Sequence, residues 1–183
     1  MPPGDRKLTL DELSAGHHAT RARVGPSRLR LVLDDVRSRH NVGAMFRTAD
    51  AFGMEELMLC GFTPTPPHRE IEKTALGATQ TVPWSHRSEA INAVRELQAS
   101  GYRVIALEQT LHAGALAATP VLSGQPLALV VGNELHGVSE AVVEACDACV
   151  VIPQQGAKHS LNVSVCAGIA LWWLSGGALP PPP

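Results

Sequence analysis

Three separated polar segments hold the side chains that could do chemistry in this chain. They are Arg37 to Gly43 with Arg47 shortly after it, Gly132 to Gly137, and Pro153 to Asn162. Their arginine groups can bind an anion such as phosphate, and their carboxylate, amide and hydroxyl groups can form hydrogen bonds to a polar ligand. Each segment follows a short apolar run, and in an open α/β sheet ligands bind beyond the carboxyl ends of the strands. The three segments are therefore the candidate functional site.

Short apolar runs alternate with helical patterns along the chain. Strands are predicted at Leu29–Leu33, Glu56–Cys60, Thr81–Trp84, Tyr102–Leu107, Leu127–Val131 and Cys149–Ile152. Helices are predicted at Asn41–Phe52, Ser88–Ala99, Ser139–Ala145 and Asn162–Leu174. This alternation predicts an α/β fold, with a mostly parallel sheet and helices on both faces. We expect a basic N-terminal arm or small helical extension over residues 1–28, one domain over residues 29–176 and a flexible proline-rich tail over residues 177–183.

Positive charge is concentrated near the start of the chain, although the net charge is -2. Residues 1–47 hold nine Lys or Arg against five Asp or Glu, whereas residues 48–183 hold six against twelve. Guanidinium groups bind phosphate bidentately and stack on bases, so an arginine cluster can contact RNA. The predicted RNA contacts are Arg21, Arg23, Arg28, Arg30, Arg37, Arg39 and Arg47. A solvated basic arm without a partner is the alternative interpretation.

The common nucleotide and metal motifs do not occur in the sequence. It contains no GxxxxGK[ST] phosphate loop, no GxGxxG fingerprint and no HExxH, despite eight histidines. The pair Cys146 and Cys149 has no second pair of ligands at zinc spacing, and the four cysteines do not form a disulfide framework. The sequence therefore predicts reduced thiols and no metal site.

The longest nearly apolar stretch, Val163–Leu174, is well below the length of about 20 residues that spans a bilayer. The first residues do not resemble a secretory signal, so we expect a cytoplasmic protein. The same stretch is apolar on more than one helical face, which favours burial beyond one sheet. Trp172 and Trp173 point about 100° apart on a helix, so one could pack inward and the other across a partner. A homodimer through this helix is the expected assembly.

The candidate segments closely resemble the three ordered motifs of the SpoU (TrmH-like) RNA 2'-O-ribose methyltransferases, a family of the SPOUT superfamily. The matching residues are Asn41–Ala49, then Gly132–Glu134 with Gly137–Ser139, then Ile152–Pro153 leading to Ser160–Val165. The resemblance covers residues 29–174, with the motifs in the same order and at similar spacing. Gln154 stands where the family often has methionine, and Cys166 where it commonly has alanine.

The resemblance implies a deep trefoil knot in the C-terminal part, whose loops hold S-adenosylmethionine in a bent conformation. It assigns cofactor contacts to Gly132, Ile152 and Leu161, with Leu107 and Glu108 nearby. A glycine at a strand end lets the backbone approach a ligand closely, and a simple turn glycine is the alternative. The resemblance also implies a homodimer in which one subunit contributes RNA contacts beside the cofactor of the other.

The catalytic set implied by the resemblance is Asn41, Arg47, Glu134, Ser160 and Asn162. Arg47 would bind the target phosphate and stabilise the alkoxide, because a guanidinium is a poor base. Glu134 and Asn41 would position Arg47 and the ribose, and Ser160 and Asn162 would hold the loop and the substrate. Taken singly, each has a plainer interpretation as a helix cap or a solvated polar residue.

The predicted function is S-adenosylmethionine-dependent methylation of a ribose 2'-hydroxyl in RNA. We favour tRNA over rRNA because the chain is compact and has no recognisable separate rRNA-binding domain. A noncatalytic RNA-binding protein of the same fold is the first alternative. A small-molecule α/β enzyme with an unused basic arm is the second.

Overall fold

The computed structural model describes residues 6–16, 28–119 and 125–175. Seven strands are present: β1 (Leu29–Asp34), β2 (Glu56–Cys60), β3 (Trp84–Arg87), β4 (Arg103–Leu107), β5 (Gly114–Ala115), β6 (Leu127–Val131) and β7 (Ala148–Val151). The helices are α1 (residues 10–16), α2 (Arg39–Ala51), α3 (Arg69–Ala75), α4 (Ala90–Ala99), α5 (Glu140–Ala145) and α6 (Val163–Leu174). Within these residues, no helix combines the length and apolar character needed to cross a membrane.

The strands form one parallel sheet in the order β3-β2-β1-β6-β4-β7-β5. Strand β6 is buried along its whole length, as expected for a continuous apolar run in a sheet covered on both faces. Leu31 and Leu33 of β1 belong to a core cluster with residues of α2, α3 and α6, and Val32 belongs to a second cluster with residues of α4 and α5. The prediction of a parallel sheet with helices on both faces is confirmed.

Helix α2 connects the sheet to the candidate site. It begins at Arg39 and is capped by Ser38, whose hydroxyl accepts a hydrogen bond from the Asn41 backbone N–H at 3.3 Å. The sequence prediction placed the start at Asn41 with that residue as a possible cap, and this was wrong by two residues. Because Ser38 caps the helix, the Asn41 side chain is available for contacts with other segments.

Helix α3 packs closely against α2 at Gly43. A Cβ atom added to Gly43 would lie 2.0 Å from Thr74 Oγ1 and 2.3 Å from the Ile71 carbonyl oxygen. Real Cβ atoms do not approach backbone oxygen so closely, so only glycine allows this contact. The sequence analysis did not predict α3, which begins where His68 Nδ1 accepts a hydrogen bond from the Glu70 backbone N–H.

Strand β3 lies at Trp84–Arg87, so the strand predicted at Thr81–Trp84 was wrong. The preceding residues form a 3-10 turn, and the Val82 N–H bonds to the Ala78 carbonyl instead of to a neighbouring strand. Ser88 and Ser139, with which two of the predicted helices begin, do not cap those helices through their side chains. Helix α4 starts after Glu89 without a side-chain cap, and Ser139 before α5 donates its hydroxyl to Asp34 Oδ2 at 2.8 Å.

Candidate functional site

The Glu134 carboxylate joins the first and second candidate segments. Strands β1 and β6 are neighbours, so the segments that follow them lie side by side. Oε2 of Glu134 accepts a hydrogen bond from the Arg37 backbone N–H at 3.0 Å. Oε1 accepts from the Ser38 backbone N–H at 3.0 Å and from Asn41 Nδ2 at 2.8 Å. The carboxylate thus fixes the turn that leads into α2.

Asn162 brings the third segment to the same point. Its Nδ2 donates to Asn41 Oδ1 at 3.1 Å, while its Oδ1 accepts from the Ser164 backbone N–H at 2.9 Å and caps α6. An uninterrupted set of hydrogen bonds therefore runs from Glu134 through Asn41 to Asn162. Three residues predicted to be catalytic, each from a different segment, are brought together.

The hydrogen bonds keep Glu134 ionised. Partial desolvation raises the pKa of its carboxyl, but the donors from Arg37, Asn41 and Ser38 outweigh that effect and hold the pKa below its ordinary value of 4.5. The carboxylate is therefore negative at neutral pH and accepts hydrogen bonds without donating any.

A cleft of about 560 Å³ opens beside this network, between the ends of β4, β6 and β7 and the start of α6. We call it the site cleft. Its lining includes all five residues predicted to contact a cofactor: Leu107, Glu108, Gly132, Ile152 and Leu161. Glu134, Ser160 and Asn162 also line it. The volume is that of an ordinary small-molecule site.

Gly132 and Glu108 have structural roles that could not be predicted from the sequence. A Cβ on Gly132 would lie 2.1 Å from the Gly137 carbonyl carbon and the Val138 nitrogen, so the glycine lets the following turn fold back on the strand. Glu108 Oε2 accepts from the Val138 N–H at 2.8 Å and holds the same turn. Both residues therefore shape the site cleft whether or not they touch a ligand.

Asn133 anchors the turn over the site cleft. Its Nδ2 donates to the Asp35 carbonyl at 2.8 Å, and its Oδ1 accepts from the backbone N–H groups of Leu135 and His136. The sequence analysis did not single out Asn133, although a polar residue directly after a buried strand is a usable signal. The result is a turn with fixed backbone geometry beside Glu134.

The loop after β7 carries Ser160, which is exposed and lines the site cleft. Gln109 Nε2 ties this loop to the end of β4 by a 2.6 Å hydrogen bond to the His159 carbonyl. Cys166 faces the same cleft from α6, and burial raises the pKa of its thiol. The Ser160 hydroxyl is thus placed where it could bind a ligand.

Arg47, a predicted catalytic residue, lies away from both the site cleft and the hydrogen-bonded set of Glu134, Asn41 and Asn162. It is exposed on α2 and lines a separate hollow of about 480 Å³ together with Asp50, Leu76, Gly77 and Thr81. Its side chain forms no hydrogen bond or ion pair with the part of the chain that the structure describes. Glu134 and Asn41 bind each other, and Glu134 binds the α2 turn, so the expectation that they position Arg47 and the ribose stays a prediction.

The predicted RNA contacts divide by position. Arg30 is paired with Glu55 at 2.9 Å and Glu56 at 3.0 Å, and its guanidinium lies 4.7 Å from the centre of the Tyr102 ring. These partners balance the charge of Arg30 at the amino end of the sheet, and its contact with RNA stays a prediction. Arg28 and Arg37 are exposed, as is Arg39, which lies 3.4 Å from Glu70. Arg21 and Arg23 lie outside the described residues.

The cysteine pair shows no sign of redox or metal chemistry. Cys146 and Cys149 are free thiols, and burial raises the pKa of Cys146 to about 12, which disfavours the reactive thiolate. Among the described residues, no group of three or more His, Cys, Asp or Glu side chains is arranged to hold a metal ion.

The chain is similar in sequence and fold to RNA methyltransferases. The profile of the SpoU rRNA Methylase family matches residues 28–172. A 23S rRNA (guanosine-2'-O-)-methyltransferase, RlmB from Nitrosomonas europaea, is 38% identical over 91% of this chain, and the chain spans only 60% of that relative's length. The tRNA (guanosine(18)-2'-O)-methyltransferase TARBP1 of Mus musculus is 31% identical over 94% of this chain and 11% of its own. A crystal structure of AdoMet-bound rRNA methyltransferase from Sinorhizobium meliloti superposes with a TM-score of 0.75 at 28% identity, covering 81% of this chain and 56% of that one.

Proposed function

The chain belongs to the SpoU rRNA methylase family, and from that premise we propose that it transfers a methyl group from S-adenosylmethionine to a ribose 2'-hydroxyl of RNA. The observation that carries the proposal is the hydrogen-bonded set Glu134, Asn41 and Asn162, which joins three distant segments at the mouth of the site cleft. A protein that only bound RNA would not need this arrangement beside a small-molecule cleft. We propose that this chain methylates its RNA substrate in the cytoplasm.

The residues of the site cleft fit S-adenosylmethionine. Leu107, Ile152 and Leu161 offer apolar surface for an adenine ring, and the Gly132 turn offers backbone groups to its polar edges. When bound, the cofactor supplies an electrophilic methyl group on sulfur. The role of the protein is to hold that methyl group in line with the ribose oxygen and to exclude competing water.

Methyl transfer forms a bond from the ribose oxygen to the methyl carbon as the bond from sulfur to that carbon breaks. The hydroxyl proton must leave to a phosphate oxygen or to water, because Arg47 cannot act as a base near neutral pH. Arg47 binds the target phosphate and lowers the energy of the developing alkoxide. Ser160 and Asn162 hold the ribose and the loop, and Glu134 with Asn41 keep the α2 turn in place.

We propose that the working site is shared between two copies of the chain. Val165, Ile169 and Trp172 form an apolar stripe on α6, spaced at four and three residues, and they are 50%, 40% and 50% exposed. Trp173 instead packs against the core, which fits the expected division of the two tryptophans. A two-fold dimer through this stripe would bury it and bring Arg47 of one copy toward the site cleft of the other. Sedimentation as a monomer at assay concentration would contradict the dimer.

The acceptor that we propose is the ribose of a guanosine, since both named relatives act on guanosine. Their RNA classes differ, one being 23S rRNA and the other tRNA. The tRNA preference expected from the compact chain stays a prediction, and rRNA is the alternative. Arg21 and Arg23 of the N-terminal arm, together with Arg28, Arg37 and Arg39, are the proposed contacts to flanking phosphates.

We also propose that the C-terminal part of the chain forms the trefoil knot implied by the resemblance. Its support is the position of β7, which pairs with both β4 and β5, followed by the return of α6 onto the α2 face. Pulling the chain from both ends in a single-molecule experiment tests this. A knotted chain extends to less than its full contour length, whereas an unknotted chain reaches it.

The activity is tested by incubating the protein with methyl-labelled S-adenosylmethionine and separate pools of unmodified tRNA and rRNA. Mass spectrometry of the digested nucleosides then locates the label. Label on the 2'-oxygen of guanosine supports the proposal and identifies the RNA class. Label on a base overturns the reaction, and failure to bind the cofactor or label any RNA indicates the noncatalytic alternative.

A further inference from the structure

Phe62 is the most exposed aromatic side chain among the described residues, at 88%. It lies two residues after the end of β2, on the loop that leads to α3. The next aromatic in exposure, Trp172, is 50% exposed and belongs to the α6 stripe. A phenyl ring exposed to water lacks the stabilisation that burial would give. Its exposure therefore indicates either that the ring binds a partner or that the loop is poorly held.

The loop is held firmly at Phe62. The Phe62 backbone N–H donates to Asp35 Oδ1 at 2.7 Å. The next residue, Thr63, is buried, and its hydroxyl donates to the Leu33 carbonyl and accepts from the Val36 N–H at 3.1 Å. Gly61 permits the approach, since a Cβ there would lie 2.1 Å from Asp35 Oδ1. The ring is therefore presented to solvent by fixed backbone.

The same contacts place this loop beside the candidate site. Asp35, which binds the Phe62 N–H, also binds Asn133 through its carbonyl. Val36, which binds Thr63, is followed by Arg37, whose N–H is held by Glu134. Two short series of hydrogen bonds therefore connect the Phe62 loop to the residues around Glu134.

Two exposed arginines lie on chain segments next to the Phe62 loop. Arg37 follows Val36, which binds Thr63, and Arg69 stands at the start of α3. Single-stranded nucleic acid is bound by aromatic rings that stack on bases beside cations that contact phosphates. An apolar protein interface would instead extend the aromatic into an apolar patch, as α6 does.

We propose that Phe62 is a stacking platform for an unpaired base of the RNA next to the methylated nucleotide. This inference rests on the proposed function and adds a specificity-determining contact to it. Stacking has no requirement for one base, so Phe62 would select an unpaired and accessible target more than a sequence. The RNA bound there would therefore be a loop or another single-stranded segment.

The test compares Phe62→Ala, Phe62→Leu and Phe62→Trp in methyl transfer to the RNA pool that the wild-type protein labels. We expect Phe62→Ala and Phe62→Leu to raise the KM for RNA about 5-fold to 100-fold with a small change in kcat, and Phe62→Trp to stay near wild type. Filter binding of the same RNA pool gives an independent readout. Trp84→Leu is the matched control, since it removes an aromatic ring at the amino end of the edge strand β3 and should leave both values unchanged.

Three results would overturn the inference. They are a wild-type KM for Phe62→Ala, full function of Phe62→Leu, and conversion of Phe62→Ala to a monomer in sedimentation, which would make Phe62 a contact between copies. Thermal melting should not change, because the ring is exposed. If the wild-type protein labels no RNA at all, the proposed function itself fails, and that outcome is distinct from these.

Discussion

The Glu134 carboxylate holds the candidate site together through three hydrogen bonds. It accepts two backbone N–H groups at the start of α2 and the Asn41 amide, which in turn holds Asn162. These donors fix the first and third segments relative to the second. Removing the charge should therefore act on the geometry of the whole site.

Replacing Glu134 with Gln tests this role. The amide offers one acceptor where the carboxylate offers two, and its NH₂ group faces a backbone donor. We expect a loss of stability of about 1 kcal/mol and a fall in kcat of up to about 100-fold as the site loosens. Urea denaturation and methyl transfer measure the two effects.

The difference in stability between wild type and Glu134→Gln should depend on pH. The pKa of Glu134 is lower in the folded chain than its ordinary value of 4.5, so its stabilising effect is present above pH 4.5. It is lost as the pH falls through the lower folded pKa. The stability difference between wild type and Glu134→Gln should therefore be constant near neutral pH and shrink below pH 4.5. A difference that grows on acidification would contradict the assignment.

Arg47→Ala separates catalysis from cofactor binding. Because Arg47 lies outside the site cleft, its removal should leave the S-adenosylmethionine Kd unchanged in calorimetry and lower kcat by about 100-fold to 1,000-fold, the effect of removing one oxyanion donor. Arg95→Ala, an exposed arginine on α4 across the sheet, is the control. Loss of cofactor affinity in Arg47→Ala would show that the arginine belongs to the cofactor site.

Among the helices, the contact of α2 with α3 controls where Arg47 and its hollow lie. Gly43→Ala places a methyl group against the Ile71 carbonyl, and a backbone oxygen cannot rotate away. We expect a loss of about 1–3 kcal/mol from overpacking, despite the better helix propensity of alanine. His40→Ala, an exposed site on the same helix, should be neutral or slightly stabilising. Equal denaturation midpoints for the two variants would show that α3 can shift away from α2 without a loss of folding stability.

The elements that the sequence predicted well are those with a strong local pattern. Strand β6 was predicted at its observed bounds, because five consecutive apolar residues are bounded by turn residues. Helix α3 was missed since it has seven residues and only two of them, Ile71 and Ala75, are buried. The predicted third strand was three residues too early, because the 3-10 turn and Pro83 delay the start of strand pairing. The motifs gave Glu134, Asn41 and Asn162, but their mutual bonds span 93 and 121 residues and depend on the folded sheet.

At the level of the assembly, the distribution of site residues requires an explanation. Glu134, Asn41 and Asn162 are complete within one chain, whereas Arg47 lies in a separate hollow. Either Arg47 acts on RNA that extends from the site cleft to the hollow of the same chain, or a second copy supplies it. The α6 stripe makes the second arrangement possible, since a two-fold axis there would relate two incomplete sites.

Mixing two inactive variants distinguishes these arrangements. If Arg47 acts across the dimer, a mixed dimer of Arg47→Ala and Glu134→Gln has one site that lacks both groups and one that holds both. Random exchange of equal amounts would then restore about a quarter of wild-type activity, since half of the dimers are mixed and half of their sites are intact. If Arg47 acts within its own chain, every site lacks one group and no activity returns. The exchange is followed by unfolding and refolding the mixture, with the wild-type protein treated in the same way as the control, so that absence of recovery against an active control would assign Arg47 to its own chain.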